Sequence, residues 1–208
     1  MHRVFKFAGI LVALLAFSWS SRASAEEYGS GFGFDISVPE VWLVLTRGEV
    51  ADNAALLMDD GDDAALASLD PEVRREIFGR IRRGEVEIFY RREGAIRSFV
   101  DNVNVMKQSA QLPSSDVELA HLCGVLPEEF SRVFGRPVAI DACEMRERVG
   151  RRALYLQFDG VVPGTTSFQY QLQRGRGTVI VVTATAADEN APRMMSEFEQ
   201  MVSSIRLR

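Results

Sequence analysis

Apolar and polar positions alternate most regularly in the last third of the chain. Residues 138–148 are predicted to form a strand, and residues 153–158 the return strand, with Leu154, Leu156 and Phe158 on one face. The two residues between them, Val149 and Gly150, suit a tight hairpin turn. An antiparallel pair of strands is therefore predicted here.

Two more strands are predicted further along. In residues 168–173, three apolar positions alternate with three glutamines, and the glycines in residues 175–177 indicate the next hairpin turn. Residues 179–182 are apolar throughout, as expected of a strand that is covered on both faces.

Helical spacing appears in three places. Asp70 followed by Pro71 is a typical helix start, and the helix is predicted to extend to Gly84. Its apolar positions are Val73, Ile77, Phe78 and Ile81. A second pattern begins at Ser115, pauses at Gly124, resumes after Pro127 and stops at Gly135. The last helix carries a broad apolar stripe of Met194, Met195, Phe198, Met201, Val202 and Ile205.

The first half of the chain also contains short strand patterns. Residues 34–38 alternate and then meet Pro39, while residues 86–90 and 99–105 predict two further strands. The glycine-rich residues 30–33 precede a strand, whereas phosphate-binding loops follow one, so we interpret them as a flexible lead-in segment. Together these elements predict an α+β fold with one mainly antiparallel sheet and helices packed on its faces.

The amino-terminal residues have the pattern of an export signal. Two basic residues precede an apolar run at positions 7–17, which is about half of the ~20 residues needed to span a membrane. Ala23 and Ala25 place small residues at both positions that signal peptidase recognises, so cleavage is predicted before Glu26. We therefore expect residues 1–25 to be a signal peptide, with no stable membrane anchor after cleavage and a periplasmic or secreted product.

Cleavage changes the charge of the protein. The signal contains three of the 24 basic residues and none of the 29 acidic ones, so the net charge falls from −5 to −8. An acidic protein is a poor ligand for nucleic acid, which requires clustered positive charge. Residues 26–208 are long enough for a single domain with its own core, and no linker divides them.

Cys123 and Cys143 are the two cysteines of the chain. In an oxidising compartment such a pair favours a disulfide bond, with two buried free thiols as the alternative. A bond closing a loop of this length would stabilise the fold by about 3 kcal/mol in the chain-entropy view.

The remaining residues give little support for a catalytic or metal-binding site. After cleavage the only histidine is His121, which does not share a helix face with Cys123, so neither a catalytic pair nor a conventional zinc site is favoured. The acidic segment Asp59-Asp60-Gly61-Asp62-Asp63 does not match the spacing of a calcium loop, and a solvated loop is the better interpretation. No catalytic residue, metal ligand or cofactor is predicted.

The order of elements, with three local patterns, resembles the PsbP-like and DcrB-like superfamily, whose fold is shared with a Ran-binding nuclear import factor. The patterns are Phe34-Asp35-Ile36-Ser37-Val38-Pro39 followed by Trp42, the segment Asp101-Asn102-Val103-Asn104-Val105, and the run from Gly164 to the last helix. The chain departs from this resemblance in the long segment 49–70, interpreted as an insertion or an elaborated helix. The resemblance implies a PsbP-like sandwich and a non-catalytic protein that docks a larger one.

Three hypotheses for function follow. The first is an exported protein-binding or assembly factor, acting on another envelope or secreted protein through a sheet edge or a helix face. The second is a small hydrolase or ligand-binding protein that uses carboxylates such as Asp101 or Glu144; it requires a pocket with two facing carboxylates. The third is an inhibitor or immunity-type protein that neutralises a toxin.

Overall fold

A computed structural model describes residues 25–52, 70–92, 99–148 and 150–208. Its strands are β1 (Ala25–Ser30), β2 (Phe34–Pro39), β3 (Trp42–Leu45), β4 (Glu87–Arg91), β5 (Asn102–Gln108), β6 (Ile140–Arg148), β7 (Arg151–Asp159), β8 (Thr165–Gln173), β9 (Val179–Ala187) and β10 (Arg206–Leu207). Its helices are α1 (Arg47–Asp52), α2 (Pro71–Arg82), α3 (Asp116–Phe134) and α4 (Ala191–Ser203), with a short 3-10 turn at Asp188–Asn190.

The strands form two sheets rather than the single predicted sheet. The large sheet has seven strands in the order β3-β4-β5-β9-β8-β7-β6, and the small one has the order β1-β2-β10. Every described strand pair is antiparallel. The predicted α+β class is thus confirmed, and the prediction of one sheet is wrong because β1 and β10 lack the apolar alternation by which strands are recognised.

The glycine-rich residues before β2 are an ordered turn, not the flexible lead-in segment that was predicted. They connect β1 to β2, with Gly33 at φ +84° and a hydrogen bond of 3.1 Å from its N–H to the carbonyl of Ser30. Phe32 at the tip is only 8% exposed because it packs into the core. The buried ring anchors the turn, which the glycine count alone did not reveal.

One face of the large sheet carries the main core. Helix α4 and the small sheet both pack on it, and α4 contributes Met194, Phe198, Met201 and Val202 as buried side chains. Ile205 is buried too, although it lies beyond the end of the helix, and Met195 is only half-buried. Full burial of a side chain such as Phe198 contributes about 2–3 kcal/mol.

The opposite face has two separate apolar clusters, one at each end. Helix α2 covers β3 and β4 through Phe78 and Ile81, and its start is capped by Asp70, whose carboxylate accepts the N–H of Glu72 at 2.8 Å. Val73 was predicted for the apolar stripe of this helix, but it is 50% exposed. It lies in the first turn, beyond the strand side chains that α2 covers.

Helix α3 covers β6 and β7 and is continuous from Asp116 to Phe134. The predicted pause at Gly124 does not occur, and Pro127 lies inside the helix. The missing N–H of a proline inside a helix costs about 3 kcal/mol. Here apolar contacts on both sides of Pro127, from Leu126 and Phe130, hold the helix on the sheet.

Candidate functional site

The centre of the second face of the large sheet, between the two helical clusters, is uncharged and mostly polar. Strands β5, β9 and β8 supply its side chains, since every second residue of a strand points to the same face. Met106, Val179 and Val181 also point to this face, and the two valines are buried. We call its polar part the polar strip; it consists of Asn102, Asn104, Ser167, Gln169, Gln171, Gln173, Thr183 and Thr185. Charged residues make up 25% of the chain, yet none points to this face from the three strands.

Side-chain hydrogen bonds order the polar strip. The amide of Gln169 donates to Thr183 Oγ1 at 2.9 Å and accepts from Gln171 Nε2 at 2.9 Å. The hydroxyls of Ser167 and Thr185 lie 2.9 Å apart on neighbouring strands. Ser167 and Thr183 are buried, and the glutamines and asparagines of the strip are partly exposed. The strip is therefore an ordered polar layer with some accessible amide groups, and it contains no charged acid or base.

The clusters on either side define the width of the polar strip. Neither the apolar cluster under α2 nor the one under α3 includes a strip residue. Three strands at about 4.8 Å spacing make the strip about 14 Å wide. This is wide enough for one extended segment or one helix of a partner.

Helix α3 borders the strip with exposed valines. The centre of its apolar face is formed by Leu119, Leu126 and Phe130. At about 100° per residue, Cys123 lies on one side of that centre and Val125 and Val133 on the other. Because Cys123 contacts β6 at the sheet edge, the two valines lie on the side of β8 and the strip. They are 40% and 74% exposed.

A small cleft lies at one end of the polar strip. Its volume is about 250 Å³, and it is lined by Phe99, Val162, Pro163, Gly164, Thr165, Ala187, Asp188 and Glu189. Val161 and Val162, in the loop after β7, are 62% and 46% exposed. Exposed apolar side chains thus meet the uncharged strip at this end.

Asp101 is buried beside the first residue of the strip and serves the fold. It is 2% exposed, accepts the N–H of Ala187 at 3.1 Å and pairs with Arg193 Nη2 at 3.3 Å. Burial raises the pKa of Asp101, and the bond from Ala187 and the charge of Arg193 partly oppose this effect. With both carboxylate oxygens bound, this group is held as a structural link between β5 and the start of α4.

Glu197 of α4 organises a second ionic group nearby. Its carboxylate accepts from Arg91 Nε and from the indole nitrogen of Trp42 at 3.3 and 3.2 Å. Arg91 is 8% exposed. These contacts attach α4 to β3 and β4.

A third group lies on the α4 face of the sheet near the β6 edge. The guanidinium of Arg146 lies 3.4 Å from the ring centre of Tyr155 and donates to Tyr170 OH at 3.1 Å. Tyr170 OH donates to Glu199 at 2.7 Å, and Glu199 also accepts from Arg148 at 2.6 Å. Burial raises the pKa of Tyr155 to about 12. The phenol stays protonated at neutral pH, so it is no general base.

The two carboxylates of the hydrolase hypothesis are not brought together. Asp101 lies next to β5 and Glu144 lies in β6, four strand spacings or about 19 Å across the sheet. Glu144 is exposed and pairs with Arg146 at 2.6 Å. The arrangement that this hypothesis required is absent at these positions.

Cys123 and Cys143 meet as the sequence predicted. Their sulfur atoms lie at disulfide distance and their Cα atoms are 5.8 Å apart, which connects α3 to the edge strand β6. His121, two residues before Cys123, is exposed. Within the described ranges, no group of three or more histidine, cysteine, aspartate or glutamate side chains could hold a metal ion.

Other predictions lie wholly or partly outside the described residues. The acidic segment at residues 59–63 and Ala23 fall there, whereas Ala25 and Glu26 begin β1, opposite Pro39 and Val38. In the parts of the chain that the structure covers, no helix has the length and apolar character needed to cross a bilayer.

Sequence reasoning missed the polar strip as a surface. The three alternating glutamines of β8 were visible, but strand alternation alone does not show that Asn104 and Thr183 lie beside Gln169. The available signal was the lack of charge at alternate positions in three separate strands.

Comparison with known proteins supports the fold. The sequence matches no protein-family model and no curated protein. The solution structure of the cyanobacterial PsbP protein CyanoP from Synechocystis sp. PCC 6803 has a TM-score of 0.52 at 13% identity, over 94% of this chain and 99% of that chain. The predicted PsbP-like sandwich is confirmed, and at this identity the likeness shows the fold alone.

Two further solved structures are similar. LpqN of Mycobacterium tuberculosis, involved in cell envelope biogenesis, has a TM-score of 0.48 at 14% identity, covering 88% of this chain and 90% of that chain. The Ran-binding protein Mog1p of Saccharomyces cerevisiae has a TM-score of 0.48 at 8% identity, covering 89% and 96%.

Proposed function

We propose that this chain is an exported, non-catalytic protein-binding factor that docks another envelope or secreted protein on the polar strip. The observation that carries the proposal is the absence of charge from one face of three adjacent strands, bordered by exposed valines. Interface centres are depleted in charged residues, and exposed apolar side chains beside them provide the burial that drives association.

The ionic groups of the domain support a non-catalytic role. Asp101 and Glu197 are each held by arginine and backbone or indole donors, and Glu199 is held by Tyr170 and Arg148. Carboxylates fixed in this way stabilise the fold and are not positioned beside a free nucleophile.

Export is part of the proposal. Cleavage before Glu26 leaves a mature chain that begins within β1, and an oxidising compartment allows the Cys123–Cys143 bond to form. The partner would then be a protein of the periplasm or the cell exterior.

The experiment is site-specific photo-cross-linking in the producing cells. A photoreactive side chain replaces Gln171 in the polar strip and, in a matched control, Arg82, which is exposed on α2. We expect one envelope protein to cross-link from position 171 and not from position 82. The proposal fails if both positions capture the same proteins or if neither captures any.

Affinity then tests whether the strip itself binds. With the captured protein purified, Gln169→Glu and Val162→Asp place a charge in the strip and at its apolar end. Each is expected to weaken binding by about tenfold or more, since burying an uncompensated charge at an interface is costly. Gln200→Glu, which makes the same change on the exposed surface of α4 at the other face of the sheet, is the control and should leave affinity unchanged.

A further inference from the structure

Strand β6 forms a free edge of the large sheet. It spans nine residues and has β7 as its single neighbour among the described strands. No residue of β6 is fully buried, whereas Ala153, Leu154, Tyr155 and Leu156 of β7 all are. An open edge of this length presents a row of backbone N–H and C=O groups that pair readily with another strand.

The pairing with β7 determines which residues of β6 direct their backbone N–H and C=O groups to β7 and which direct them to the free edge. Arg148 lies opposite Arg151 with two residues between them, so they form the hydrogen-bonded pair that closes a two-residue hairpin. At the other end of the pair, Asp159 N–H donates to Ala139 O at 3.1 Å, which agrees with the same alternation along β7. The even-numbered residues 142–148 therefore bond to β7, and Cys143, Met145 and Glu147 direct their backbone groups to the free edge.

The charges of β6 are complementary to those of a second copy in one register. An antiparallel two-fold pairing centred on Met145 places Glu144 opposite Arg146 of the other copy, twice. These are pairs without direct hydrogen bonds, in which side chains approach most closely. No like charges are opposed in this register.

The neighbouring registers are less favourable. A pairing centred on Glu147 would place Arg146 of one copy opposite Arg148 of the other. A pairing centred on Glu144 or on Arg146 would place that residue opposite the same residue of the other copy, so that like charges meet. A centre at Cys143 makes no charge pair and runs into the β-bulge between Ile140 and Ala142. The charge pattern thus selects Met145 as the centre.

Helix α3 has room for the same two-fold arrangement. Ala120 and Gly124 lie on the side of its apolar face that includes Cys123, and so toward the free edge. Both are exposed, and a Cβ added at Gly124 would meet no atom within 4 Å. With α3 lying above β6 and β7, the two helices would be about 10 Å apart, the distance at which helices pack, and small residues allow this approach.

We infer that two copies of this chain associate through antiparallel β6 edges centred on Met145, forming one continuous sheet with the two α3 helices side by side. This interface is separate from the polar strip, which lies on β5, β9 and β8, and the inference does not depend on the proposed function.

Sedimentation velocity of the purified chain, from micromolar to millimolar concentration, tests this inference. The parent protein should show a concentration-dependent dimer. Glu144→Arg opposes two pairs of arginines and should weaken the dimer about tenfold. The matched control is Glu189→Arg, which makes the same charge change away from β6.

A second variant tests the backbone pairing. Glu147→Pro removes an N–H that faces the free edge, so the fold should remain intact while the dimer is lost. Circular dichroism spectra of all variants check that they are folded. The inference is overturned if the parent is monomeric at every concentration. It is overturned in the same way if β6 pairs with an extended peptide of another protein and not with a second copy of this chain. It is also overturned if Glu144→Arg and Glu147→Pro dimerise as the parent does.

Discussion

Glu87 Oε1 accepts a 2.7 Å hydrogen bond from the N–H of Gly31, which ties the large sheet to the turn of the small one. Glu87 is only 3% exposed, and its second oxygen, Oε2, is buried without a hydrogen-bond partner. Burial raises the pKa of Glu87, while hydrogen bonds from Ser30 and Gly31 and the charge of Arg208 oppose the rise. The net direction is upward, so the folded state holds the proton more tightly than the unfolded state.

This relationship predicts how stability depends on pH. A carboxyl group whose pKa is raised in the folded state contributes its full stabilisation of the fold at pH values below its unfolded-state pKa. This contribution is lost as the pH rises through its folded-state pKa. Glu87→Gln should therefore increase the free energy of unfolding at neutral pH, on the order of 1 kcal/mol, and much less at pH 4. Urea unfolding at both pH values measures the difference.

The exposed substitution Glu189→Gln serves as the control for this measurement and should change stability little at either pH. A loss of stability in Glu87→Gln at neutral pH would contradict the prediction. It would mean that the ionised carboxylate gains more from Arg208 than it loses on burial.

The cysteine pair predicts a dependence on reducing agent. Replacing both Cys123 and Cys143 by serine should lower the free energy of unfolding by about 3 kcal/mol, because the unfolded chain is then no longer constrained by the loop. A reductant should destabilise the parent protein by a similar amount and leave the double variant unaffected. Equal stability of the parent with and without reductant would show that the bond is absent.

Two substitutions of Asp101 should lower the free energy of unfolding by different amounts. Asp101→Ala leaves the Ala187 N–H buried without an acceptor and should cost about 2–3 kcal/mol in unfolding free energy. Asp101→Asn keeps an oxygen for that N–H and should cost less, although the charge that faces Arg193 is lost. Thermal and urea unfolding compare the two variants, and equal losses would contradict the assigned role of the Ala187 bond.

The export proposal predicts the mature amino terminus. Protein recovered from the producing cells should begin with Glu26, and Ala25→Arg should block processing because signal peptidase requires a small residue before the cut. Amino-terminal sequencing and the mass of the intact chain measure both. Glu27→Gln, two residues from Ala25, is the control that should be processed normally; an unprocessed parent would refute the prediction.

Local features were predictable from the sequence where a pattern and its turn lie together. The hairpin of β6 and β7, the helix start at Asp70 and the helix end at Gly135 all depend on neighbouring residues, and the structure has them where they were predicted. The class of fold followed from the order of such elements.

Other features required tertiary contacts. Strand β1 has no apolar alternation and is held by backbone pairing with β2, so its sequence carried no strand signal. The burial of Asp101 depends on Ala187 and Arg193, which are far away along the chain. Likewise, α3 continues through Pro127 because its apolar side chains pack on the sheet.

The sequence by itself therefore determined the β6–β7 hairpin, the helix start at Asp70, the helix end at Gly135 and the cysteines available for pairing, because each depends on nearby residues. Only the tertiary structure decided that Asn104, Thr183 and Gln169 form one surface, since strand order across the sheet joins them. Among the strands that the structure describes, the same order left β6 at an edge with one neighbour. The reason is physical: backbone geometry sets local structure, whereas the face and neighbours of a strand depend on how distant segments exclude water together.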